Sequence, residues 1–232
     1  IVAQSVNWIE KKKYKKLNDL FSCKNEKDII AEFFYLIANL YASQSLFKDS
    51  NFYIMLSKYL NTEFTLNSTL LVENYMDTKK YKLVENELDN IDKDNAIYTW
   101  FKLKKTASII QETKDESSAL RFIKREYKKI QKPSNKVLFD MANILRNFQD
   151  YEGAIDIYSN LIEYSNYSAE EYSDLLYKRG TSYERKKDYL KADEDLLESL
   201  SIVSNEPYVL NYLGYSWLER SYKIPDAMGM LK

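Results

Sequence analysis

Leu176–Leu200 reads LYKRGTSYERKKDYLKADEDLLESL, and a second stretch, Leu210–Trp217, reads LNYLGYSW after Pro207 and runs on to Ala227. The two align through their glycines, because Gly180 and Gly214 lie 34 residues apart. Each copy holds two helical patterns. The first carries the glycine, and in the earlier copy the second is entered by an aromatic three residues before a small residue, Tyr189 before Ala192. Glycine inside a helix costs about 1 kcal/mol relative to alanine, so it needs a packing reason. Close crossing of two antiparallel helices supplies one. Small residues at Ala154, Ala192, Gly180 and Gly214 belong where backbones meet, and Tyr151, Leu161, Tyr183, Leu196 and Leu213 fill the layer between them.

The phase extends towards the N-terminus. The residues matching Gly180 are Ala142, Ala107, Val72 and Ala38, at successive spacings of 38, 35, 35 and 34 residues. The one long spacing is assigned to an enlarged loop near Ser165–Glu171 (SNYSAEE). Second helices begin at Tyr151 before Ala154, Tyr81 before Val84 and, more weakly, Phe47 before Ser50; Glu116 replaces the aromatic before Ala119. Self-similarity at this period marks a stacked repeat architecture, in which no unit buries its apolar face alone.

These residues resemble the tetratricopeptide repeat (TPR) family over roughly Ile29 to Lys232. Leu210–Leu231, with one residue inserted before Ala227, is similar to a unit of multi-repeat bacterial members of mostly unassigned function. The resemblance implies an all-α, right-handed α-solenoid of about six helix-turn-helix units with a leading N-terminal helix. It divides the chain into a leading helix of a truncated preceding unit over 1–28, three degenerate units over 29–134, and three clearer units over 135–232, the last one truncated. All are expected to form one continuous solenoid.

It also implies a function. In this family the first helices line a concave groove that holds a peptide or a segment of a protein. Carried over by phase, the groove side takes Tyr35, Asn39, Thr69 and Glu73 early in the chain, then Lys104, Ser108 and Gln111. It continues with Phe139, Asn143 and Arg146, then Tyr177, Thr181, Glu184 and Arg185, and ends with Asn211 and Tyr215. Aromatic and Arg anchors beside amides suit a bound peptide. The chaperone-tail carboxylate clamp of the family needs Lys and Asn one turn apart. Here Phe139 precedes Asn143, Tyr35 precedes Asn39, and Lys104 is followed by Ser108, so that partner is not expected.

Composition agrees with this reading. In 232 residues there are 4 Gly, 3 Pro, 1 Cys and no His, while 45% of residues are hydrophobic and 15% aromatic. Turn-rich sheet folds consume Gly and Pro, so the chain reads as helical. Without His there is no imidazole base, no Ser-His or Cys-His pair and no His metal ligand. Four glycines form no phosphate loop. The pairs Asp193/Asp195 and Glu170/Glu171 are conceivable acid and base partners, but helices this rich in Asp and Glu read them as solvated charges. No enzyme activity, cofactor, metal or small-molecule substrate is expected.

Two further readings stay open. Related helical repeats bind RNA, and the basic runs Lys11–Lys16 (KKKYKK) and Lys124–Lys129 (KREYKK) give that some footing. A net charge of −1 and interleaved acids oppose it, because phosphate binding needs a basic excess. An architectural role through the convex face or the ends is the other. Lone Cys23 builds no internal disulfide, and no run of apolar residues is long enough to span a bilayer. The chain begins at Ile1 and ends within a helical pattern, which reads as a piece of a longer protein, so bacterial cytoplasm and envelope fit equally. Val2, Val6, Ile9, Leu17 and Leu20 follow an amphipathic helical spacing. Ala227, Met228, Met230 and Leu231 form an apolar edge suited to end-to-end association.

Overall fold

A computed structural model of the chain describes residues 25–91, 96–164 and 167–232. Residues 1–24, which include nearly all of the expected leading helix, lie outside the described residues. Twelve α-helices and no strand are found among the described residues. They fall into two compact units, Ile1–Ile109 and Ile110–Lys232.

In the first unit α1 (Glu26–Ser43) pairs with α2 (Phe47–Leu60), and α3 (Leu66–Asp77) pairs with α4 (Tyr81–Asp89). Contacts of α2 and α1 with α3 join the two hairpins. α5 (Ala96–Thr113) spans the division between the units. In the second unit α6 (Glu116–Tyr127) is followed by three hairpins. These are α7 (Asn135–Asn147) with α8 (Tyr151–Tyr164), α9 (Ala169–Arg185) with α10 (Tyr189–Ile202), and α11 (Pro207–Glu219) with α12 (Ile224–Met230). α8 packs on α9, and α10 on α11, which stacks the hairpins within the unit.

The same turn closes five of the hairpins. Its second residue is left-handed: Ser45, Lys79, Gln149, Lys187 and Ser221 have φ of 61°, 56°, 60°, 63° and 54°. Each time the next amide donates back to the carbonyl five residues earlier: Leu46 to Tyr41, Lys80 to Tyr75, Asp150 to Leu145, Asp188 to Tyr183 and Tyr222 to Trp217, at 2.8–3.0 Å. The left-handed residue itself donates to the carbonyl three residues before. This pair of bonds satisfies the last orphan carbonyls of the first helix and reverses the chain. Glycine usually takes the left-handed place, yet none does here. The α5–α6 turn differs, with Lys114 donating to Ile110 at 2.9 Å and no left-handed residue.

The small-residue ladder lies where the hairpins cross. Ala38, Val72, Ala107 and Ala142 are buried on first helices, and Ser50, Val84, Ala119, Ala154, Ala192 and Ala227 on second helices. At Gly180 an added Cβ would stand 3.0 Å from both Asp195 Cβ and Leu196 Cγ and 3.3 Å from the Ala192 carbonyl oxygen. At Gly214 it would meet Leu231 Cγ at 3.1 Å and the Ala227 carbonyl oxygen at 3.3 Å. Close helix approach therefore explains both glycines.

The enlarged loop assigned to Ser165–Glu171 is corrected. Ala169, Glu170 and Glu171 form the first turn of α9, and Ser168 caps it. The Ser168 hydroxyl accepts from the Glu171 amide at 3.2 Å, and the Glu171 carboxylate accepts from the Ser168 amide at 3.0 Å. This reciprocal cap turns S-A-E-E into a helix start. The excess in the repeat spacing is thus an added helical turn at the front of α9: Gly180 is its twelfth residue, whereas Gly214 is the eighth of α11.

Candidate functional site

The first helices of the second unit carry the residues expected to bind a partner. On α7 Phe139, Asn143 and Arg146 are spaced three to four residues apart and therefore share one face. All three are half-buried. Phe139 meets Tyr158 of α8 edge-on at 6.5 Å, and Lys178 of α9 stands 5.7 Å from its ring centre. The Tyr158 hydroxyl donates to Asn143 Oδ1 at 2.8 Å. Burial pushes the Tyr158 phenol up to about 12, although Arg146 draws it back down. It is therefore a protonated donor at neutral pH.

On α9 Tyr177 is half-buried and stands edge-on to two rings of α11, Tyr208 at 4.7 Å and Tyr212 at 6.0 Å. Burial raises the Tyr177 phenol, and Arg146 again opposes the shift, which places the guanidinium near both Tyr158 and Tyr177. The Tyr212 hydroxyl donates to Glu184 at 2.8 Å, and its phenol is held above the usual range by burial and by that carboxylate. Arg185 is exposed, with its Nε 3.9 Å from Glu184. Asn211 is exposed, and Tyr215 is 60% exposed.

Thr181 is placed otherwise. It is buried and its hydroxyl donates to the Lys178 carbonyl at 3.0 Å, so it offers no open surface. Of the positions on α5, Lys104 and Ser108 are half-buried, Ser108 donates to the Lys104 carbonyl at 3.1 Å, and Gln111 is exposed. In the first unit Tyr35 and Thr69 are buried, and Glu73 pairs with Lys105. Tyr35 packs edge-on against Phe64 at 5.2 Å, which makes it a core residue.

Three contributors escaped the phase argument: Lys178, Tyr208 and Tyr212. The two tyrosines were findable, because Tyr208, Tyr212 and Tyr215 repeat at the i, i+4, i+7 interval of one helix face. Lys178 was not, since only the packing of α7 beside α9 brings it over Phe139.

Of six arginines, Arg179 is clasped by Asp195 through two bonds of 2.8 and 2.7 Å, and Arg220 binds Asp193 at 2.7 Å. Arg125 and Arg185 each have a glutamate neighbour, and Arg121 is exposed and donates to Ser118. Arg146 is the half-buried arginine with no carboxylate within 4.0 Å among the described residues. The carboxylates Asp193 and Asp195 are occupied in tying helices together, and Glu171 in capping α9. A cleft at the α11–α12 end, lined by Leu210, Trp217, Pro225 and Met230 among others, includes none of the expected binding residues. No described helix is long and apolar enough to cross a membrane.

No protein-family model matches the chain, and no curated protein does. Solved structures match. In the APC/C hetero-tetramer Cut9–Hcn1 the chain aligns over 95% of its length at a TM-score of 0.59 with 15% identity, and it spans 42% of the matched chain. YrrB, a TPR protein with an unusual peptide-binding site, aligns over 85% of this chain and 95% of its own at 0.47 with 15% identity. Pseudomonas aeruginosa pilF aligns over 89% and 75% at 0.43 with 14% identity. With the repeated hairpin turns and the small-residue ladder, the similarity to Cut9–Hcn1 settles the fold. In fold, the chain is a tetratricopeptide-type α-solenoid.

Proposed function

We propose that this chain is a protein–protein interaction scaffold that binds a peptide, or an extended segment of a partner protein, along the first-helix face of its second unit. The observation that carries the reading is Arg146. It is half-buried beside Tyr158 and Tyr177 with no carboxylate within 4.0 Å among the described residues, and Tyr177 in turn stands edge-on to Tyr208, which shares an exposed row with Tyr215. Rings and a guanidinium of this kind are the usual anchors of a protein interface. Asn211, exposed in the same row, offers an amide that can pair with an extended backbone. The Tyr158 phenol near Arg146 is protonated at neutral pH and donates to Asn143. Recognition, and no bond-making step, follows from that chemistry. The three clearer units proposed over 135–232 are the ones that supply this surface.

A displayed peptide library selected against the whole chain tests the reading. Selected peptides should share a sequence pattern, and Arg146→Glu combined with Tyr215→Ala should weaken them at least about tenfold, roughly 1.4 kcal/mol. Unchanged affinity in the double variant, with an unchanged melting temperature, would move binding to the convex face or the ends. Retention on immobilised RNA that falls steeply between low and moderate salt would favour the nucleic-acid alternative instead.

A further inference from the structure

Where α7 and α9 lie side by side, the half-buried polar groups offer donors and few acceptors. Asn143 Oδ1 accepts from the Tyr158 hydroxyl at 2.8 Å, and Asn143 Nδ2 has no hydrogen-bond partner among the described residues. Arg146, one turn further along the same face of α7, brings N–H groups only. On α9, Lys178 stands 5.7 Å from the Phe139 ring centre and so fixes the neighbouring Tyr177 beside α7. The Tyr177 hydroxyl also has no hydrogen-bond partner among the described residues, and burial raises its pKa, which keeps it protonated at neutral pH. The carboxylates at hand are taken. Asp140 pairs with Lys136 at 2.6 Å, Asp174 with Lys178 at 3.2 Å, and Glu184 accepts from Tyr212 at 2.8 Å. Of the five cations on α7 and α9, Lys136, Lys178, Arg179 and Arg185 each have a carboxylate within 4.0 Å. Arg146 has none among the described residues.

We infer that the partner segment presents a carboxylate at this place, from an Asp or Glu side chain or from a C-terminus. Arg146 pairs with it, and the Asn143 amide and the Tyr177 hydroxyl donate to its oxygens. This rests on the reading of the second unit's first-helix face as a partner-binding surface. An ionised carboxylate only accepts, so it matches groups that are left to donate. A guanidinium is the side chain that grips it best, through two parallel charge-assisted bonds. Charge count selects the ligand further. One unmatched positive charge balances one negative charge, whereas a phosphoryl group carries nearly two and would stay half-neutralised. A neutral backbone carbonyl satisfies an N–H but leaves a half-buried cation without a counter-charge. The constellation also differs from the chaperone-tail clamp of the family, which needs Lys and Asn one turn apart where α7 has Phe139 and Asn143.

The test uses the whole chain and a random peptide library displayed in two formats, one with a free C-terminus and one with that terminus fused. Selected peptides should carry Asp or Glu at one fixed position, or should come only from the free-terminus format. Changing that residue to Asn or Gln, or amidating the terminus, should weaken the synthetic peptide at least about tenfold on the unaltered chain. On the Arg146→Gln chain the same change should shift affinity less than about twofold, because the pair is already broken. Peptides that lose affinity on Arg146→Glu with Tyr215→Ala, yet tolerate removal of every carboxylate, would overturn this inference and leave the groove reading standing. A library that yields no binder, or binders indifferent to that double variant, would overturn both. A phosphoserine that binds more than about tenfold tighter than Glu at the fixed position would make the ligand a dianion and overturn the single-charge match. If Arg146→Gln fails to fold, Tyr177→Phe takes its place: it keeps the ring, and the cost of removing the peptide carboxylate should shrink by at least about threefold. An undiminished cost there would overturn the inference.

Discussion

Charged side chains tie neighbouring helices in both units, through Lys58–Glu87 and Lys105–Glu73 in the first and through Arg179–Asp195 and Arg220–Asp193 in the second, and the first unit adds a buried asparagine to the fastening. Arg179 of α9 grips Asp195 of α10 with two bonds and reaches Ser159 of α8 at 3.2 Å, while Asp193 accepts from Trp217 at 2.9 Å and from Arg220 at 2.7 Å. In the first unit Asn74 donates to Ser50 and Asn51 at 2.8 Å, and Ser57 reaches the Ala31 carbonyl. Asn67 is fully buried there, and its amide has no hydrogen-bond partner. Both units use the same left-handed turn and the same crossing of small residues. The difference teaches that the hairpin frame tolerates two kinds of fastening.

Substitutions can break or sharpen this contrast. The largest effect is expected for Asp195→Ala, which leaves the half-buried Arg179 guanidinium without its counter-charge. Removing one partner of such a pair costs about 3 kcal/mol or more, and urea unfolding should show it. Arg179→Met combined with Asp195→Leu should recover most of the loss, whereas a cost that persists would mean that the pair is needed for register and not merely for neutrality.

Ala192→Leu should come next. Ala192 is 1% exposed, with its carbonyl oxygen against Gly180, so a larger side chain overpacks the crossing. Overpacking of this kind costs roughly 1–3 kcal/mol. An unchanged thermal midpoint would refute the ladder as the crossing point of the hairpins.

In the first unit the expected sign reverses. Asn67→Leu removes an amide that is buried without a partner, so stability should rise by about 1 kcal/mol. A loss of that size would show that the amide serves a contact that the hydrogen-bond geometry does not reveal.

The smallest effect is expected at the turns and should be equal in both units. Lys79→Gly and Lys187→Gly each relieve a left-handed non-glycine residue, and each should stabilise by roughly 0.5 kcal/mol. Unequal gains in melting temperature would show that the two units do not share one turn energetically.

Much of the fold was legible before any coordinates. Gly180, Gly214 and Ala192 announced close helix crossing by their size alone, and the helical content followed from the scarcity of Gly and Pro. The start of α9 was legible and misread, because Ser168-Ala-Glu-Glu171 is a capping box that was assigned to a loop. The site was legible only in part. Phase placed Phe139, Asn143, Arg146 and Tyr177 on one side of their helices, since period alone sets direction. It also placed Thr181 there, and the depth of the crossing buries that residue.

The sequence by itself determined the architecture: a 34-residue period, small residues at the crossings and helical amphipathicity suffice, because each is a local constraint that repeats. Only the tertiary structure decided which charges are spent and which are free. Asp193, Asp195 and Arg179 look like surface residues in the sequence and are internal fasteners, while Arg146 looks no different from them and has no carboxylate within 4.0 Å among the described residues. The reason is that a residue's electrostatic partner is set by which helices lie side by side, at separations of 16 to 27 residues along the chain, and no local pattern records that.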